Sequence, residues 1–212
     1  MVTSVRGRSL PLPPNPWGSR WRKRVGLLGG SFNPAHDGHR HISLRALHCL
    51  GLDEVWWLVA PQNPLKPTAG MAPLSERIRK AEQVTGHPAI RVTGLESRLG
   101  TRYTADTLMV LTRRFPATRF VWLMGADNLQ QICQWDRWAS IFQRVAVAVF
   151  DRSPYSYQSL VGKAARRYAR YRLPARRSGL LVHKTPPAWA FLHLKRHPAS
   201  ATAIRLIQSH QR

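Results

Sequence analysis

At 212 residues and 43% hydrophobic content, the chain has the length and composition of one globular domain with a full core. No apolar run approaches the ~20 residues of a bilayer span, so no membrane-spanning helix is expected. The formal net charge of +23 excludes an acidic or neutral surface and would draw polyanions, whether nucleic acid, membrane or nucleotide.

The charge is uneven, since no Asp or Glu follows Asp151 while thirteen Lys and Arg do. Residues 1–23 are Arg-rich, contain no acid and lack the apolar core of a signal peptide. Pro11, Pro13, Pro14 and Pro16 oppose an amphipathic helix there, so a basic, disordered extension is expected, followed by a single domain over 24–212. Cys49 and Cys133 fit no metal or redox spacing and read as buried, reduced thiols of a cytoplasmic protein.

Val25–Leu28 reads as a buried strand running into Gly29-Gly30, where a missing Cβ lets a ligand approach the backbone. Ile42, Ala46, Leu47 and Leu50 form the apolar stripe of a following helix, with His36 and His39 at or just before its start. A helix N-terminus offers free N–H groups and partial positive charge, and two imidazoles beside it would add donors for the same anion. A nucleotide phosphate site is therefore expected.

A second strand spans 54–60, and the proline-rich 61–67 must be a loop. Leu74, Ile78 and Ala81 mark a helix ending near Gly86, and 90–93 is a short strand. Thr104 is the expected N-cap of a helix carrying Leu108, Leu111 and Phe115. A strand over 119–124 ends at Gly125-Ala-Asp127. Trp135, Trp138, Ile141 and Phe142 form a helical stripe, and 144–150 is another buried strand. Leu160, Ala164 and Tyr168 line one helix, an edge strand is expected over 189–194, and a closing helix from about Ser200.

Apolar strands alternating with helices give an α/β fold, a Rossmann-like three-layer sandwich with a mostly parallel sheet. Ligands in such sheets bind beyond the carboxyl ends of the strands, among the nucleotide-binding loops. That rule gathers residues 29–39, 61–66, 125–127 and 151–152 around one crevice. Neither a P-loop nor a Gly-x-Gly-x-x-Gly turn is present.

The remaining stretch, Gly29-Gly-Ser-Phe-Asn-Pro-Ala-His-Asp-Gly-His39, resembles the His-x-Gly-His signature of the nucleotidylyltransferase superfamily, in particular bacterial nicotinate-mononucleotide adenylyltransferases. Ser200-Ala-Thr-Ala-Ile-Arg205 is similar to a second family segment, with Ala199 where Ile is usual. Tyr103-Thr-Ala-Asp-Thr-Leu108, Gly125-Ala-Asp127 and Trp135 match pieces that in the family meet the nicotinate ring, the nucleotide ribose and the pyridine ring. Asn63-Pro-Leu-Lys66 and Asp151-Arg152 stand where the family holds the mononucleotide. The resemblance implies His36, His39 and Arg205 as catalytic residues. It implies Gly29, Gly30, Ser31, Phe32, Gly125, Asp127, Ser200 and Thr202 for ATP, and Lys66, Tyr103, Thr104, Trp135 and Arg152 for the acceptor.

The implied reaction joins ATP, as its Mg²⁺ complex, to nicotinate mononucleotide, giving deamido-NAD and pyrophosphate in NAD biosynthesis. The acceptor phosphate is already anionic, so no protein nucleophile or strong base is needed. Mg²⁺ would bridge phosphate oxygens with few or no protein ligands, and a zinc cluster of His36, His39 and His41 is not expected, because they lack a carboxylate or cysteine at suitable spacing. Nicotinamide mononucleotide or phosphopantetheine are the alternative acceptors. A basic nucleic-acid-binding module is the alternative of another class; no nucleic-acid motif is present, and no specific nucleic acid or membrane partner is expected.

Overall fold

The computed structural model describes residues 14–62, 70–151 and 156–193. Seven strands, β1 (Arg24–Gly30), β2 (Glu54–Val59), β3 (Ile90–Thr93), β4 (Arg119–Gly125), β5 (Ala146–Asp151), β6 (Arg172–Leu173) and β7 (Trp189–His193), form one sheet in the order β3-β2-β1-β4-β5-β7-β6. All six pairings are parallel, as the unbroken apolar runs demand of strands covered on both faces.

Helices α1 (Asp37–Leu50) and α2 (Leu74–Thr85) and the 3₁₀ segment Ala175–His183 cover one face, packing Ile42, Ala46, Leu50, Ala81 and Leu181 onto Trp57, Val121 and Ala148. The other face carries α3 (Leu95–Leu99), α4 (Thr104–Arg114), α5 (Ala126–Gln131), α6 (Trp138–Arg144), α7 (Ser156–Leu160) and α8 (Lys163–Arg167). There Leu108, Leu111, Phe142 and Ala164 pack against Trp56, Trp122 and Val147. The result is a three-layer α/β sandwich.

From β1 the chain winds outward through β2 to β3, then returns to place β4 on the other side of β1. This reversal is a topological switch point, and it opens a crevice between the carboxyl ends of β1 and β4. Gly30 and Gly125 stand on its two lips.

Several boundaries differ from the sequence reading. β7 lies inside the sheet, because the two-residue β6 pairs outside it and takes the edge. The helix expected around Leu160–Tyr168 is broken at Gly162, which caps α8 in an extended conformation. Arg144 closes α6, so β5 starts two residues later than expected. Trp135 precedes α6 and belongs to no helix. Cys49 and Cys133 are free thiols, partly rather than fully buried.

Residues 14–23, expected within a disordered extension, pack along the end of α4. Asn15, only 2% exposed, accepts the backbone N–H groups of Trp17 and Gly18 on Oδ1, both at 2.8 Å. Ser19 N donates to Arg114 O at 3.1 Å, and the Arg114 guanidinium donates to Pro16 O. Residues 1–13 lie outside the described residues, as does the helix expected from Ser200.

Candidate active site

The turn after β1 is built around two histidines. His36, 5% exposed, is the N-cap of α1, with φ −153° and ψ 166°. Its Nδ1 accepts from Gly38 N at 3.1 Å, while His39 Nδ1 accepts from His36 N at 3.3 Å. The arrangement is a capping box made from imidazoles. A neutral ring accepting an N–H on Nδ1 carries its hydrogen on Nε2, so both rings are set as Nε2–H donors. Their centroids lie 3.9 Å apart at the positive end of a 14-residue helix.

Neighbouring aromatics fix these rings. Phe32, at φ 47° in the left-handed region, is 2% exposed and stacks on Trp57 at 5.0 Å. It also meets the His39 ring at 4.7 Å. Trp57 Nε1 donates to Ser43 Oγ, which donates to His39 O, at 2.7 and 2.9 Å. The Phe32 ring thus supports His39.

Gly29 and Gly30 differ from each other. A Cβ on Gly29 would stand 2.4 Å from Cη2 of Trp122 on β4, so the space there belongs to an indole rather than to a ligand. A Cβ on Gly30 would meet only the Phe32 ring, at 3.5 Å. Of the pair, Gly30 leaves the backbone approachable. Trp122 continues edge-on to Trp135 at 6.3 Å, so one aromatic row joins the β1 turn to the loop before α6.

Across the crevice, Gly125 ends β4 and caps α5, with Asp127 exposed in that helix's first turn. Tyr103, not Thr104, is the N-cap of α4; Thr104 is its first helical residue, and neither side chain caps the helix. Arg137 binds Asp106 of α4 at 2.7 Å and Asp136 at 2.6 Å, which brings the Tyr103–Thr104 and Trp135 segments together. Trp138 is half-buried and packs edge-on against Phe142 and Tyr168 at the border of the core. Asp151, at the end of β5, meets His193 Nδ1 at 3.1 Å. Lys66, Arg152, Ser200, Thr202 and Arg205 lie outside the described residues.

Residues 27–207 match the model of the cytidylyltransferase-like family. The chain belongs to that family. It is 52% identical to the probable nicotinate-nucleotide adenylyltransferase of Parvibaculum lavamentivorans, over 86% of this chain and 90% of that protein. It is 53% identical to the protein of the same name from Cereibacter sphaeroides, over 85% and 96%. In fold it is similar to the nicotinic acid mononucleotide adenylyltransferase of Plasmodium falciparum complexed with NaAD, with TM-score 0.65 and 16% identity over 87% of this chain and 83% of that one.

Two residues of this cytidylyltransferase-like domain escaped the sequence reading. Arg77 of α2 is 2% exposed, and its guanidinium donates to four carbonyls: Ala72, Ser31, Ala60 and Pro61, at 2.8, 2.7, 2.7 and 2.8 Å. It clamps the loops after β1 and β2 to the start of α2, as a planar five-donor fork can. Glu96 of α3 is 7% exposed and accepts from Thr107 Oγ1 at 3.0 Å beneath the Tyr103 turn. Burial pushes its carboxyl up to about 7, against the opposing Thr107 hydrogen bond. The only signal for either was a charged residue on the apolar side of a helical pattern.

Proposed function

We propose that the chain transfers the adenylyl group of ATP to nicotinate mononucleotide, releasing pyrophosphate. An oxygen of the acceptor phosphate forms a bond to the ATP α-phosphorus as the bond from that phosphorus to the β-phosphate bridging oxygen breaks. The acceptor enters as an anion, so the protein's work is alignment and charge stabilisation. The observation that carries the reading is the His36–His39 pair, held with both Nε2–H groups as donors at the switch-point crevice, in a chain half identical to proteins bearing that activity's name.

In this reading His36 and His39 donate to the triphosphate as charge builds on it, beside the backbone of Gly29 through Phe32. Gly125 and Asp127 hold ribose, and Tyr103, Thr104 and Trp135 hold the pyridine ring. Lys66 and Arg152 take the acceptor phosphate, and Ser200, Thr202 and Arg205 the β- and γ-phosphates, on the strength of the sequence pattern. Mg²⁺ suits this site as a companion of ATP. The turn presents imidazole and backbone donors, with Asp37 as the carboxylate between the two histidines, so phosphate oxygens and water would supply most of the ion's coordination, and the ion would supply charge neutralisation. Among the described residues no group of three or more His, Cys, Asp and Glu side chains could hold a metal.

The test is pyrophosphate release by the purified protein with ATP, Mg²⁺ and, separately, nicotinate mononucleotide, nicotinamide mononucleotide and phosphopantetheine. Release should be fastest with the nicotinate acceptor. A folded protein releasing none with that acceptor overturns the proposal.

A further inference from the structure

We propose that the end of the sheet opposite the crevice binds single-stranded nucleic acid without sequence preference. Two clefts lie there. One, of about 620 Å³, is lined by Trp17, Arg20, Arg113 and Arg114. The other, of about 460 Å³, is lined by Arg170, Tyr171, Arg172, Arg177 and Lys184. Both belong to the amino-terminal ends of the parallel strands. The first adjoins the turn into β4, where Arg119 N donates to Lys23 O at 2.7 Å. The second flanks β6 and Ala188, which immediately precedes β7.

The two clefts share the amino-terminal end of the sheet, and between them the chain is tied by hydrogen bonds outside either lining. Thr118 Oγ1 donates to Trp21 O at 3.3 Å, and the neighbouring Arg119 Nη1 reaches Val182 O at 3.5 Å, in the 3₁₀ segment that bears Arg176 and Arg177. Along this end cations go uncompensated. The nearby acids Asp53 and Glu54 are already bonded to Arg24 and Lys23, and Glu54 also to Arg91. Among the described residues no carboxylate pairs with Arg20, Arg113, Arg176, Arg177 or Lys184. Clustered like charges repel and are stabilised by an anion that threads between them.

Two exposed indoles say which anion. Trp17 is 66% and Trp21 55% exposed, in a chain whose other large aromatics are mostly inside. An exposed aromatic face beside a basic cleft suits unpaired bases, which stack while their phosphates meet the guanidinium groups. A duplex hides its base faces. A second copy of the chain carries the same +23 charge and is repelled. A bilayer presents headgroups and no flat base faces for the two indoles to stack on. This end faces away from the crevice, so occupancy does not compete with ATP.

The test is fluorescence anisotropy of a labelled oligouridylate of about 15 nucleotides, titrated with the full chain between about 50 and 200 mM salt. The triple variant Arg170→Glu, Arg177→Glu, Lys184→Glu should weaken binding at least about tenfold and flatten the log K against log salt slope by about 2. Trp17→Ala with Trp21→Ala should weaken it about tenfold and leave the slope unchanged. A control with equal charge change elsewhere, Arg45→Glu, Arg79→Glu, Arg98→Glu, should weaken it less than about threefold. Pyrophosphate release by the first two variants reports that they fold. Equal losses in both triple variants would reduce the effect to bulk charge and overturn the proposal. So would equal affinity for the same sequence as a duplex, or binding to phosphatidylglycerol vesicles in place of the oligonucleotide.

Discussion

Glu96 gives the protein a stability that depends on pH with a calculable sign. Its carboxyl is buried in α3 and raised from 4.5 to about 7 in the folded chain, chiefly by desolvation. The folded state therefore holds the proton more tightly than the unfolded one. The stabilisation is complete below about pH 4.5 and is lost as pH rises through about 7, where a bare carboxylate must stay inside. A shift of this size, at 1.36 kcal/mol per pH unit, amounts to about 3 kcal/mol. Glu96→Gln keeps an oxygen for the Thr107 hydroxyl and removes the titration. Urea unfolding of wild type and Glu96→Gln across about pH 5 to 8 isolates the effect, because every other titrating group is common to both proteins. The variant should match wild type within about 1 kcal/mol at pH 5 and exceed it by up to about 3 kcal/mol at pH 8. A difference that stays constant with pH would refute the burial argument.

Other outcomes follow from the same geometry. Arg77→Met strands four part-buried carbonyls and should cost about 1–3 kcal/mol by urea unfolding, with Arg77→Lys recovering only part; a loss under about 1 kcal/mol would show that water replaces the clamp. Gly29→Ala drives a methyl into the Trp122 ring and should cost about 1–3 kcal/mol with a change in tryptophan fluorescence; an unchanged unfolding midpoint would contradict the contact. His39→Ala should lower turnover by about 10²–10³-fold while ATP affinity falls less than about tenfold; equal losses in both would make His39 a ground-state binder only.

The strands and the β1–α1 turn were legible because each is local. A run such as Val25–Leu28 or residues 146–150 buries every side chain, and the Gly-Gly to His-x-Gly-His spacing lies within eleven residues. What stayed hidden depends on partners far along the chain. Gly29 reads as an opening for a ligand until Trp122, 93 positions later, is seen to occupy it. Arg77 binds carbonyls, which carry no mark in the sequence. β6 has two residues, too few for any periodicity, so β7 looked like an edge. The packed segment 14–23 is polar and proline-rich, and it docks through hydrogen bonds to Arg114, Thr118 and Arg119, about 100 positions along the chain.

The short outer strands have a consequence for the protein in a crowded solution. A sheet grows by adding foreign strands to its open rims, and among the described residues this one ends in β3, with four residues, and β6, with two. Each rim exposes too few free N–H and C=O groups to template a newcomer. Like-charge repulsion between copies at +23 adds a second barrier. A core rich in parallel, strongly apolar strands can thus be kept at high concentration without polymerising through its edges.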